Sequence, residues 1–140
     1  MKNIKVFLLD DDLAFSELFK ENLLDASSRE NIEFHYADNL EYDNLKELFD
    51  IYFIDHNIYG KPVSLDVVKK IKSNGSGVKI FVISNYGDFA LLKNLMKAGI
   101  DGFIDKGDID YLELANFIKS VKNTKILLKK LNDKFCSAKK

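Results

Sequence analysis

Val6-Phe7-Leu8-Leu9-Asp10-Asp11-Asp12 decides how this chain is read: four apolar residues in a row, then three carboxylates with no turn residue between them. The same grammar recurs three times. Asp55 follows Ile51-Tyr52-Phe53-Ile54, Ser84 follows Ile80-Phe81-Val82-Ile83, and Lys106 follows Gly102-Phe103-Ile104-Asp105. Short, continuously apolar runs are strands covered on both faces, as in a parallel sheet with helices on either side. In an open parallel sheet the carboxyl ends of the strands meet at one crevice, and ligands bind there. Residues as far apart in the chain as Asp10 and Lys106 are therefore expected to share a pocket.

Stretches of helical period separate the apolar runs, and that alternation marks repeated strand–helix units. Strands are expected near 4–9, 32–37, 51–55, 78–84 and 102–105, and helices near 13–25, 41–49, 64–73, 88–98 and 109–123. Asp12 is placed to cap the first helix, Asp88 to cap the fourth and Gly99 to end it. The second strand differs from the others, because Ile32, Phe34 and Tyr36 alternate with Glu33, His35 and Ala37. Alternation means one exposed face, so this strand belongs at an edge. The strand order 2-1-3-4-5 satisfies that condition. It is the doubly wound, flavodoxin-like α/β fold with five helices, and it sets strands one and three side by side at the switch point, with Asp10, Asp11 and Asp55 at their ends.

A chain of 140 residues is the size of one domain. No apolar run exceeds four residues, far short of the roughly 20 that a membrane helix needs, so no membrane partner is expected. Met1 to Leu9 runs into acids rather than a cleavage site, and the single Cys136 cannot close an internal disulfide, which together suit a reducing cytoplasm. Residues 124–140 carry six lysines against Asp133, a charge of +5, while residues 1–123 carry −6. No basic face suited to nucleic acid stands out in the acidic body. The expected division is a domain over 1–123 and a basic amphipathic extension of the fifth helix over 124–140. Leu114, Phe117, Val121, Thr124, Leu128, Leu131, Phe135 and Ala138 keep a heptad-like seam through it. The seam reads either as a long helix that forms a homodimer or meets a partner, or as an amphipathic end with solvated lysines. His35, His56 and Cys136 are read as structural.

Three converging carboxylates repel one another and need a cation to stay ionised together. Mg²⁺ fits, since it takes hard oxygen ligands and leaves room for phosphate oxygens. A lysine adds a compact positive charge and a serine hydroxyl a donor. Such a set suits phosphoryl transfer to a carboxylate, where positioning and charge neutralisation dominate.

Four segments, Val6 to Asp12, Asp50 to Asp55, Val82-Ile83-Ser84-Asn85 and Ala98 to Lys106, together resemble the receiver domain of two-component response regulators of the chemotaxis-regulator type. The resemblance spans residues 3–123. It implies that Asp55 accepts a phosphoryl group from a sensor histidine kinase or phosphotransfer protein. It implies further that Asp11 ligates Mg²⁺ directly, Asp10 acts through water, and Asn57 ligates through its backbone carbonyl. Ser84 matches the hydroxyl that turns toward the phosphoryl group, Lys106 the lysine that pairs with it, and Phe103 the aromatic whose rotamer follows the switch. A downstream protein would then read the changed surface. On this view the protein is a phosphoacceptor rather than an enzyme. Departures are specific: Tyr59 and Val63 stand where the family usually has Pro and Gly, the loop from Asn57 to Ser64 is one residue longer, Gly107 replaces a proline after Lys106, and Tyr86 is large for its place. Two alternatives stay open here. One is a degenerate receiver that binds or dimerises without phosphorylation; the other is an aspartate-nucleophile phosphatase of the haloacid dehalogenase type.

Overall fold

The computed structural model describes residues 3–39, 49–58, 61–62, 64–74, 77–85 and 89–138. In chain order the elements are β1 (Ile4–Leu9), α1 (Leu13–Ala26), β2 (Ile32–Ala37), β3 (Ile51–Asp55), β4 (Asn57–Ile58), β5 (Lys61–Pro62), α2 (Ser64–Asn74), β6 (Lys79–Ser84), α3 (Phe89–Ala98), β7 (Gly102–Asp105) and α4 (Tyr111–Ala138). Five strands form one parallel sheet in the order β2-β1-β3-β6-β7. This is the expected 2-1-3-4-5 order once the small β4–β5 ribbon is numbered separately. β2 lies at an edge, and past its first residue it is half-buried or exposed throughout.

Side chains alternate across a strand, so each sheet face collects every second residue. Val6, Leu8, Phe53 and Ile83 join Phe19 and Leu23 of α1 and Ile118 of α4 in one core layer. Phe7, Leu9, Ile54 and Val82 join Val68 and Ile71 of α2 and Leu95 of α3 in the other. Phe19 is fully buried, with its ring 5.1 Å from that of Phe53 and 5.5 Å from that of Tyr111. Burying a side chain of this size contributes about 1.5–3 kcal/mol.

Local chemistry sets the helix ends. Asp12 accepts a hydrogen bond from the Phe15 N–H at 3.0 Å and so caps α1. Gly99, at φ +103°, ends α3 with the paired bonds Gly99 N–H to Met96 O and Ile100 N–H to Leu95 O, a Schellman motif. The expected cap Asp88 and the helix expected over 41–49 lie outside the described residues, apart from Phe49, which is buried outside any helix.

One element differs from expectation. The segment after Asp55, read as a loop, contains an antiparallel ribbon in which Asn57 pairs with Pro62 and Ile58 with Lys61. A two-stranded edge ribbon tolerates proline because no further strand needs its missing N–H. The last helix is 28 residues long and crosses position 123 without a break. Asp110 caps it by accepting from the Glu113 N–H, and no Gly or Pro interrupts it before Ala138. Among the described residues no helix is long and apolar enough to cross a membrane.

Candidate functional site

β1, β3, β6 and β7 bring their polar ends to the same edge of the sheet. Asp10 follows β1, and its N–H donates to Ala37 O, which carries the β1–β2 ladder one residue further. Asp55 closes β3 and is held by pairing with Ile83, while the next N–H, from His56, donates to the Ile83 carbonyl at 2.9 Å. Ser84 closes β6. Lys106 follows β7, and its N–H donates to the Ser84 carbonyl at 2.9 Å.

These ties bring three of the expected carboxylates together. One oxygen from each of Asp10, Asp11 and Asp55 lies within 4.8 Å of the others, with Asp10 and Asp55 buried and Asp11 half-buried. Lys106 sits among them. Its ammonium donates to Asp10 Oδ2 at 2.9 Å and lies 3.6 Å from Asp55 Oδ2. Asp10 Oδ1 accepts from the Asp12 N–H at 2.8 Å, and Asp55 Oδ1 accepts from the Asn57 N–H at 3.3 Å. Asp12 itself is turned to capping α1, so the acid at position 10, not position 12, completes the cluster.

Electrostatics follow from that geometry. Burial pushes the Asp55 carboxyl up to about 6, the Asp10 carboxylate adds to the rise, and Lys106 and the Asn57 N–H pull against it. For Lys106, burial is the largest single influence and lowers its pKa. The hydrogen bond it donates to Asp10 and the charges of Asp10, Asp55 and Asp12 together outweigh it, and the ammonium is held above its ordinary value. Three carboxylates against one ammonium leave two negative charges, the amount a divalent cation neutralises. All the donors are hard oxygens, so the residues fit such an ion.

The remaining candidates are placed as follows. Ser84 is 6 % exposed at the end of β6, one strand over from Asp55. Asn57 is exposed at the start of the ribbon, opposite Pro62. Phe103 on β7 is half-buried and packs against the core layer of α2 and α3. Tyr59, Val63 and Tyr86 lie outside the described residues. The sequence reading missed Phe15, whose ring lies 4.2 Å beneath the Lys106 ammonium. A cation over an aromatic face is held there when partly desolvated. Its signal was faint, a single aromatic in the first turn of the helix that follows the acids.

The sheet order, and the acids at its switch point, place the chain in one class of α/β structure: it has the fold of response-regulator receiver domains. Its similarity is greatest in shape. A response regulator from Thermotoga maritima superposes with a TM-score of 0.68 at 23% identity, covering 85% of this chain and 97% of its own. A CheY-like receiver domain protein from Methanospirillum hungatei JF-1 gives 0.73 at 18% identity, covering 89% and 98%. A response regulator from Burkholderia pseudomallei, solved with a phosphorylated aspartic acid, a calcium ion and citrate, gives 0.63 at 20% identity, covering 89% and 74%. No protein-family model matches the chain, and neither does any curated protein.

Proposed function

We propose that this domain is a phosphoacceptor in a two-component phosphorelay, with Asp55 as the accepting residue. The observation that carries the reading is Lys106, which reaches from β7 to within 2.9 Å of Asp10 and 3.6 Å of Asp55. An ammonium so placed neutralises carboxylates that would otherwise repel, and it stands where the oxygens of a phosphoryl group on Asp55 would need a positive charge.

In the proposed step an Asp55 oxygen attacks the phosphorus of a phosphohistidine on a sensor histidine kinase or phosphotransfer protein. The P–N bond breaks, the new P–O bond forms, and the imidazole leaves with a proton. Asp10, Asp11, Asp55 and the Asn57 carbonyl would hold Mg²⁺, which supplies charge to the transferring oxygens when bound. The Burkholderia structure, with its phosphorylated aspartic acid and calcium ion, supports this chemistry by analogy of fold. Attack by water later breaks the acyl phosphate and restores the carboxylate. The domain therefore carries a signal and turns over no separate substrate. Replacing the singly charged carboxylate with a nearly dianionic acyl phosphate, and adding its acceptor oxygens, draws Lys106 and Ser84 toward the new group, and Phe103, one strand away, follows the displaced backbone. A downstream protein reads that change. A kinase-linked role of this kind belongs in the cytoplasm.

Incubation with acetyl phosphate or phosphoramidate and Mg²⁺, followed by intact mass measurement, tests the proposal. One phosphate adduct is expected, absent with EDTA and absent in Asp55→Asn. No adduct on the wild-type chain would leave a binding module that works without phosphorylation. Steady turnover of a general phosphatase substrate would point instead to the dehalogenase-type enzyme.

A further inference from the structure

Helix α4 outruns the domain it belongs to. Near its start Ala115 and Ile118 are buried against the sheet. Further on, Leu127, Leu128 and Leu131 are 57%, 54% and 41% exposed, three large apolar side chains uncovered on adjacent turns. Residues three and four apart share a helix face. Phe117, Val121, Thr124, Leu128 and Leu131 follow that spacing, so the half-buried Phe117 and Val121 at the domain end continue into the bare leucines of the tail.

Beside the domain end of this stripe lies a groove of about 320 Å³ between β7 and α4, walled by Phe81, Leu114 and Phe117. Acids surround it: Asp105, Asp108, Asp110 and Glu113. The other end of α4 has the opposite sign, with Lys129, Lys130 and Lys134 against Asp133, while Lys125 pairs with Asp50 of its own domain. The apolar stripe thus runs from an acid-rimmed groove at the domain end to a lysine-rich tail.

We propose that α4 pairs antiparallel with α4 of a second copy of this chain, the tail of each lying along the acid-rimmed groove of the other. Charge selects both the partner and the direction. A parallel pair would bring lysines against lysines, whereas the antiparallel pair sets the basic tail of each copy against the acidic start of the other and also opposes the helix dipoles. With Leu114, Val121 and Leu128 in one heptad position and Phe117, Thr124 and Leu131 in the other, the register follows. Leu114 meets the partner's Leu131, Phe117 meets the partner's Leu128, and Glu113 lies beside the partner's Lys134. The twofold axis then passes between residues 122 and 123.

The single Cys136 gives a direct test on the unaltered chain. At 1.5 Å per residue, two antiparallel copies hold their Cys136 positions roughly 40 Å apart. Parallel copies would hold them about 10 Å apart, the spacing of packed helices. Sedimentation should show a concentration-dependent dimer without any phosphodonor, and dipolar spectroscopy of nitroxide-labelled Cys136 should show the longer distance. Leu128→Asp, at an exposed position that spares the fold, should weaken the dimer at least about tenfold. Glu113→Lys and Lys134→Glu should each weaken it, and together restore it. A chain that stays monomeric, a short label distance, or a double charge variant no tighter than the single ones would each overturn the proposal. A monomer that instead co-sediments with phosphatidylglycerol vesicles would also overturn it and assign the stripe to an anionic lipid surface. Because no phosphoryl group is involved, failure here is separate from failure of the phosphoacceptor reading.

Discussion

Replacing Asp55 with Asn should make the domain more stable, because the carboxylate is held where its charge is disfavoured. Its carboxyl titrates at about 6 in the folded chain against an ordinary value of 3.8. Between those values the folded chain keeps a proton that the unfolded chain has released. Stability therefore falls as pH rises through this window, and nearly all of the loss is present by pH 7. The difference corresponds to about 3 kcal/mol at full ionisation. Asn keeps the shape of Asp55 and an oxygen that can accept from the Asn57 N–H, and Lys106 keeps its 2.9 Å bond to Asp10. Little is lost to offset the gain. Urea unfolding in EDTA at pH 7 should show the variant more stable by between about 1 and 3 kcal/mol, read from the shift in midpoint at unchanged slope. At pH 5 the wild type has taken up most of its proton, and the advantage should shrink to roughly half. A variant less stable than wild type at pH 7, or one whose advantage is the same at both pH values, would refute the argument that Asp55 is buried beside Asp10 in solution.

Two further outcomes follow from the same geometry. Mg²⁺ should raise the melting temperature of the wild-type chain, by the equivalent of about 2.7 kcal/mol at a hundredfold excess over its dissociation constant, and Asp11→Asn should remove most of that rise; a wild-type melting curve indifferent to Mg²⁺ and EDTA would dismiss the three carboxylates as a cation site. Gly102→Ala should cost about 1–3 kcal/mol, because the new methyl would stand 2.7 Å from the Phe81 ring, itself stacked on Phe53 at 5.6 Å and met edge-on by Phe117 at 5.1 Å. Thermal or urea unfolding within about 0.5 kcal/mol of wild type would show that the ring has room to give.

What the sequence determined by itself is whatever depends on neighbours along the chain. Val6 to Leu9 and Ile51 to Ile54 are apolar throughout because both faces of their strands are covered, and the alternation from Ile32 to Ala37 marks an edge, so the sheet order could be read before any coordinates. Asp12 as a cap and Gly99 as a helix end were legible for the same reason, since capping acts within one turn. The length of α4 was written in the lack of Gly or Pro after Tyr111 and in the three- and four-residue spacing kept from Leu114 to Ala138. Only the tertiary structure decided how charges share space. That Lys106 hydrogen-bonds Asp10 rather than Asp55, that Phe15 lies beneath its ammonium, and that Asp55 titrates near 6 all depend on strands distant in sequence that exclude water together. The ribbon from Asn57 to Pro62 and the bare side of α4 belong to the same category. Periodicity is a property of the chain, whereas desolvation and distance between remote side chains exist only once it has folded.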